Sequence, residues 1–313
     1  MKKGCLISIG SGLAGLAILI TASYLILDPE KKVLAAQDRT SFPGDFISLT
    51  DGVTHYTFNG PVDGPVVVLV HGFSVPGFAW ERNVPDLVKA GFRVLTLDLY
   101  GRGYSDRPDT TYNLDLYVRQ IDELLTALRI EDSVDIAGIS LGGYIAVAFA
   151  NQYPNRVDRV VLISPESQAI GSDPLISIVT LPWIGEYLYT VYLARYQIVD
   201  GIDYFDDYMP SSDWHERELN AMSYKGERNA LLSTLRSITD DPLDAYRILG
   251  ASGKPVELLW GDKDTTISCS NAARIRAVIP QAEYHPIPGA RHMSIYEKPE
   301  MVNQLMIQFF KGG

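Results

Sequence analysis

A serine between two glycines, Gly138-Ile139-Ser140-Leu141-Gly142, follows a run of strand type and opens a run of helix type. At such a junction a sharp turn presents the hydroxyl outward on a strained backbone, the arrangement of a nucleophile elbow. The pattern G-x-S-x-G alone arises often by chance, and its place between strand and helix gives it weight. A serine hydroxyl is a weak nucleophile until a base takes its proton. Five histidines are available, His55, His71, His215, His285 and His292. His292 ends Gly289-Ala290-Arg291-His292, after the last strand-type run and before the final helix-type run. A loop there reaches the carboxyl edge of a parallel sheet, where open α/β folds bind ligands. His285 lies within a strand beside Pro286 and reads as a core or edge residue, and His71 as a brace for its own loop.

A serine–histidine pair needs an acid to hold the imidazole tautomer and to stabilise the imidazolium. Trp260-Gly261-Asp262-Lys263-Asp264 follows the penultimate strand. Asp264 is the expected acid, because two further residues let its side chain turn back towards His292; Asp262 reads as a turn residue. Glu166, just past Ile163-Ser164-Pro165, is the rival. The order Ser140, Asp264, His292 is Ser…Asp/Glu…His. Across the presumed sheet edge, His71-Gly72-Phe73 ends another strand. The backbone amides of Phe73 and Leu141 are the expected oxyanion hole, and such a donor contributes on the order of 10²–10³ in rate.

These residues must be positioned by a sheet. Phe46 to Leu49 and His55 to Phe58 read as an antiparallel opening hairpin. Val66 to Val70, Arg93 to Leu97, Val134 to Ala137 and Val160 to Ile163 are near-continuous apolar runs, as in parallel strands covered on both faces. Helix-type stretches alternate with them, Leu114 to Leu128 and Gly142 to Gln152 among them, so the class is α/β. The pattern resumes with Pro255 to Trp260, a helix near Asn271 to Val278, a strand near Ala282 to Ile287 and a final helix from Pro299 to Phe310. The intervening 166–250 shows no such alternation and carries Trp183, Tyr187, Tyr189, Tyr192, Tyr196, Tyr204, Phe205, Tyr208 and Trp214. It is expected to be a helical cap whose aromatics, Trp183 and Trp214 in particular, line an apolar pocket. The core then comprises 46–165 and 251–313.

Lys2-Lys3 precedes the uncharged run Gly4 to Leu27. As a helix rising about 1.5 Å per residue, that run exceeds a hydrocarbon core of roughly 30 Å. Residues 1–30 are therefore expected to be a single-pass membrane anchor, with the amino terminus inside and the catalytic domain outside the cytoplasm. Cleavage near Val33-Leu34-Ala35 and secretion is the alternative. Residues 31–45 read as a linker.

With 313 residues, 46% hydrophobic and 21% charged, the chain can bury a sizeable core. A net charge of −11 excludes nucleic acid as an expected partner, because phosphate binding runs on clustered Lys and Arg. Cys5 and Cys269 alone cannot form a disulfide framework or a cysteine-rich metal site.

Taken together, His71-Gly72-Phe73-Ser74, the run Asp98 to Pro108, the Ser140 elbow, Trp260 to Asp264 and Gly289 to His292 resemble the α/β-hydrolase superfamily from about Phe46 to Phe310. The stretch His71 to Pro76 and the amino-terminal run are similar, more loosely, to membrane-bound monoacylglycerol lipases and related bacterial esterases. The resemblance implies a central mostly parallel sheet flanked by helices, a cap over the site, no cofactor and acyl-enzyme chemistry on an apolar small-molecule ester. Ser140 argues against epoxide opening and dehalogenation, which use an aspartate nucleophile. Carbon–carbon bond hydrolases, aminopeptidases, perhydrolases and non-catalytic binding proteins share the frame.

Overall fold

The computed structural model describes residues 2–169, 174–194 and 212–312. Among them, eight strands form one sheet: β1 (Asp45–Ser48), β2 (Val53–Asn59), β3 (Val66–Val70), β4 (Arg93–Leu97), β5 (Val134–Ile139), β6 (Val157–Ile163), β7 (Val256–Gly261) and β8 (Glu283–Ile287). Their order is β1-β2-β4-β3-β5-β6-β7-β8. β1 pairs with β2, and β2 with β4, in antiparallel register; every other pairing is parallel.

Successive side chains of a strand point to opposite faces, and here both faces are covered. Val68, Val70, Leu95, Leu97, Ile136, Val160, Leu162, Leu258 and Trp260 share one core cluster. Their alternates Val67, Leu69, Val94, Ala137, Ile139, Val161, Ile163 and Leu259 share the other. Double coverage explains why the parallel strands read as unbroken apolar runs rather than alternating ones.

The described helices are α1 (Lys2–Leu27), α2 (Val84–Lys89), α3 (Leu114–Ala127), α4 (Leu141–Gln152), α5 (Pro174–Val179), α6 (Ile184–Leu188), α7 (Ser212–Met222), α8 (Glu227–Ser237), α9 (Leu243–Ala251), α10 (Asn271–Arg276), α11 (Ser294–Glu297) and α12 (Pro299–Phe310). α3 starts where the Asn113 side chain accepts from Leu116 N, and it buries Leu116, Ile121, Leu124 and Leu125 at helical spacing. Helices α5 to α9, with a π-turn over Tyr189–Leu193, come between β6 and β7.

Two expectations need correction. Among the described residues, no helix is long and apolar enough to cross a membrane. The expected anchor over residues 1–30, the membrane as a partner, and the membrane localisation with an extracytoplasmic catalytic domain are corrected accordingly. The described end of α1 packs on the domain instead. Ser23 Oγ lies 3.0 Å from Tyr187 OH, and the Arg228 guanidinium lies over the Tyr24 ring. Just beyond, Lys32 N donates to Ser223 O (2.8 Å) and Lys225 N donates to Lys32 O (2.9 Å).

The second correction concerns the aromatics of 166–250. Trp183 is 87% exposed, and Trp214 is buried between Phe78 and Tyr296. Neither lines the cavity described below. Tyr196, Tyr204, Phe205 and Tyr208 lie outside the described residues.

Candidate active site

β5 ends at Ile139 and α4 begins at Leu141, so the turn between them is the single residue Ser140. Its backbone has φ +56° and ψ −125°. A non-glycine residue held there costs of order 1–3 kcal/mol and persists only where its surroundings impose it. They do: Ser140 N donates to Ile163 O (2.9 Å), while Ser140 O accepts from Gly143 N and Glu166 N (both 3.0 Å). The flanking glycines permit the approach. A Cβ on Gly138 would fall within 3.0 Å of the Gly142 carbonyl, and one on Gly142 would crowd the Val70 and His71 carbonyls as closely. Any side chain at either position would push the elbow off the sheet.

His292 and Asp264 reach the site from two different loops, one after β8 and one after β7. His292 Nδ1 lies 2.9 Å from Asp264 Oδ2, and both side chains are almost wholly buried. The other carboxylate oxygen, Oδ1, accepts from Thr266 N and Ile267 N, each at 2.9 Å. Three donors therefore fix the Asp264 carboxylate. Asp262 instead accepts from Gly289 N (2.8 Å) in an exposed turn and does not touch the histidine.

Ser140 and His292 line one cavity of about 600 Å³, together with Phe73 and Leu141. This volume suits a small-molecule ligand. Glu166 lines it as well, with Oε1 accepting from Ser167 N (3.1 Å) and Gln168 N (3.4 Å). Burial raises its carboxyl above the ordinary value, outweighing those two amides and nearby His292, which lower it.

The remaining histidines serve elsewhere. Burial pushes His71 down to about 4, so its ring is neutral at pH 7. Nε2 accepts from Leu99 N (2.9 Å), which leaves the proton on Nδ1 to donate to Gly72 O (2.8 Å). The ring thus braces the loop that carries Phe73. His285 sits on β8, 3.6 Å from Glu257 Oε1. His55 lies 2.8 Å from Asp98 Oδ2.

Sequence reasoning missed two supports of that loop. Burial opposes charge on Asp98, but His55 and backbone N–H donors hold its carboxyl down to about 2. Asp98 accepts from Gly77 N and Tyr104 N, both 2.8 Å, which anchors the chain beyond Phe73. Arg102, fully buried, donates to Phe73 O (2.9 Å), Tyr117 OH (2.5 Å), Tyr100 O (3.2 Å) and Thr234 Oγ1 (3.0 Å). One guanidinium therefore ties the Phe73 loop to α8. The only sequence signal for either was the glycine-rich run Asp98 to Gly103.

Comparison with known proteins agrees with this frame. A family model for the alpha/beta hydrolase fold matches residues 65–299. The AB hydrolase superfamily protein YfhM of Bacillus subtilis is 26% identical, over 84% of this chain and 96% of its own. Lipase 3 of a Moraxella species is 25% identical, over 90% of this chain and 86% of its own. A thermophilic esterase from Thermogutta terrifontis superposes with a TM-score of 0.73 at 21% identity, covering 86% of this chain and 99% of that one. With its mostly parallel sheet, its strained serine turn and a family match across most of its length, the chain belongs to the alpha/beta hydrolase family.

Proposed function

We propose that the protein is a serine hydrolase of carboxylic esters acting through an acyl-enzyme, with Ser140 as nucleophile, His292 as general base and Asp264 as the acid that orients it. The observation that carries this reading is the 2.9 Å contact between His292 and Asp264 at a cavity shared with a strained serine. His292 Nε2 removes the Ser140 proton as Oγ attacks the ester carbonyl, and the imidazolium then protonates the departing alcohol. The backbone N–H groups of Phe73 and Leu141 hold the oxyanion. Water activated by His292 releases the acid and restores the serine. No cofactor enters these steps.

The substrate side of the proposal is an apolar small-molecule ester, with a short-to-medium acyl chain or of monoacylglycerol type. The described helices between β6 and β7 form a cap over a core of 46–165 and 251–313. Support comes from the apolar side chains that the insertion contributes to the cavity, Ile176, Val179, Leu193 and Leu235 among them. The lipase and esterase names of two relatives point the same way. Each buried methylene of the acyl chain contributes up to about 0.8 kcal/mol before ordering costs. Activity on p-nitrophenyl esters should then rise with acyl length until the cavity is full.

A fluorophosphonate probe should label the protein once, at Ser140, and Ser140→Ala should lose both labelling and ester turnover. Undiminished turnover in that variant refutes the mechanism.

A further inference from the structure

The cavity beside Ser140 has two chemically different walls. Phe73, Ile176, Val179, Tyr189, Leu193 and Leu235 all line it and belong to one apolar cluster. Glu166, Gln168, Thr265, Thr266, Ser268 and Asn271 line another part. Four of those polar residues, Glu166, Gln168, Asn271 and Ser268, are joined by hydrogen bonds. Gln168 N donates to Glu166 Oε1, Gln168 Nε2 donates to Asn271 Oδ1 (2.8 Å), and Asn271 Nδ2 donates to Ser268 O (3.1 Å). Gln168, Thr265, Thr266 and Ser268 are exposed, so the polar wall is the open side of the cavity. An ester at Ser140 must place its acyl chain and its alcohol in different directions. The apolar wall suits the acyl chain, and the open polar wall suits the alcohol that leaves.

Glu166 lies on the polar wall, and its place is fixed by its own backbone. Its N–H donates to Ser140 O (3.0 Å), and its carbonyl accepts from Tyr246 OH (2.5 Å). Its Oε1 is taken by two amides, whereas Oε2 accepts no hydrogen bond from the described residues. His292 already has its acid in Asp264, so Glu166 is not needed to orient the base. What it offers is a pre-positioned acceptor on the cavity wall near His292, the residue proposed to protonate the departing alcohol. We propose that Glu166 is a specificity-determining residue that accepts a hydrogen bond from a hydroxyl of the alcohol moiety, selecting acyl esters of a small uncharged polyol over simple alkyl esters and rejecting anionic ones. This inference rests on the esterase reading above.

A hydroxyl donor meets an acceptor that a bound alkyl ester would strip of water without replacing it, which favours polyol esters. Once ionised, Glu166 meets a phosphate or carboxylate on the alcohol with a like charge in a restricted cavity, which disfavours it. Hydrophobic burial supplies no such discrimination, because it depends on apolar area alone.

The test compares kcat/KM for monooctanoylglycerol, propyl octanoate and octanoylglycerol phosphate in the parent, Glu166→Leu and Glu166→Gln. The parent should favour monooctanoylglycerol over propyl octanoate by about tenfold or more, the range of one hydrogen bond to a charged acceptor. Glu166→Leu should bring that ratio close to one. Glu166→Gln keeps a carbonyl acceptor, so the polyol preference should survive within about threefold while turnover of the anionic ester rises about tenfold relative to propyl octanoate. A parent ratio near one overturns the inference, as does a ratio that Glu166→Leu leaves intact. Should Glu166→Leu fail to fold, unchanged discrimination against the anionic ester in Glu166→Gln overturns it. In each of these cases ester turnover and Ser140 labelling persist. Their absence on all three esters would instead sink the esterase reading itself.

Discussion

Asp264→Asn changes one atom, and the site's hydrogen bonds dictate where that atom goes. Oδ1 accepts from Thr266 N and Ile267 N, both 2.9 Å, and Oδ2 faces His292 Nδ1 at 2.9 Å. The amide oxygen of the variant must stay with the two backbone donors, since an NH₂ there would leave both facing another donor at about 1–3 kcal/mol each. The NH₂ therefore turns to His292. An amide nitrogen only donates, so the ring must present a bare Nδ1 and carry its proton on Nε2, the atom that should receive the Ser140 proton. The proposed base is then in the wrong tautomer, and its imidazolium loses its buried counter-charge. Loss of kcat on the order of 10⁴ is expected, the effect of the same change in a serine-protease triad; at about 1.36 kcal/mol per decade this is roughly 5.4 kcal/mol of barrier. Steady-state kinetics on p-nitrophenyl octanoate measures it, with thermal unfolding to show that the near-isosteric variant remains folded. Asp262→Asn serves as control: its carboxylate only receives Gly289 N in an exposed turn, so activity should stay within about threefold. The reasoning is refuted if Asp264→Asn keeps more than about a tenth of parental kcat, or if Asp262→Asn loses more.

Three further perturbations test the supporting structure. Gly142→Ala places a Cβ against the Val70 and His71 carbonyls, so it should cost about 1–3 kcal/mol in urea unfolding and suppress turnover; a parental midpoint would contradict the close packing of the elbow. Glu30 is buried and accepts from Gly226 N (3.1 Å) and Arg228 N (2.7 Å) at the start of α8. Glu30→Ala should therefore destabilise by about 1–2 kcal/mol, and removing residues 1–32 should lower Tm further by also deleting the Asp28–Arg228 pair, rather than leaving the enzyme untouched. Equal Tm values in parent and variants would show that this segment is not a strut. Finally, burial pushes the Glu227 carboxyl up to about 8, against Arg107 and Arg102, which lower it. Because this folded-state pKa lies above the ordinary 4.5, the folded state binds the extra proton, and stability falls as pH rises from 4.5 through 8. Glu227→Gln should flatten that fall in unfolding measured at pH 5 to 8, and an unaltered slope would remove Glu227 as its source.

What could be read from the chain was local. The Ser140 elbow is a five-residue pattern at a strand–helix junction, and its glycines sit where a side chain would strike backbone. The parallel sheet showed in the unbroken apolar runs of β3 to β7, because coverage on both faces removes the two-residue alternation. The preference for Asp264 over Asp262 rested on a two-residue step along one turn, and it is Asp264 whose carboxylate lies 2.9 Å from His292.

What only the tertiary structure decided depends on separation in sequence and on which face an element presents. Trp214 and Trp183 lie in the aromatic insertion, yet one packs on Phe78 and Tyr296 and the other faces outward. Residue type states what a side chain can do, and the orientation of its helix decides where it does it. The charge-free run Gly4 to Leu27 read as a membrane span because hydropathy measures composition alone; that Ser23, Tyr24, Asp28, Glu30 and Lys32 engage the helices between β6 and β7 depends on partners more than 150 residues away. Arg102, joined to Phe73 29 residues away and to Thr234 132 residues away, was invisible because its partners are also distant in sequence. A buried charge is tolerated only where donors and acceptors converge on it, and convergence across that much chain is made by the packed fold, not by any window of sequence.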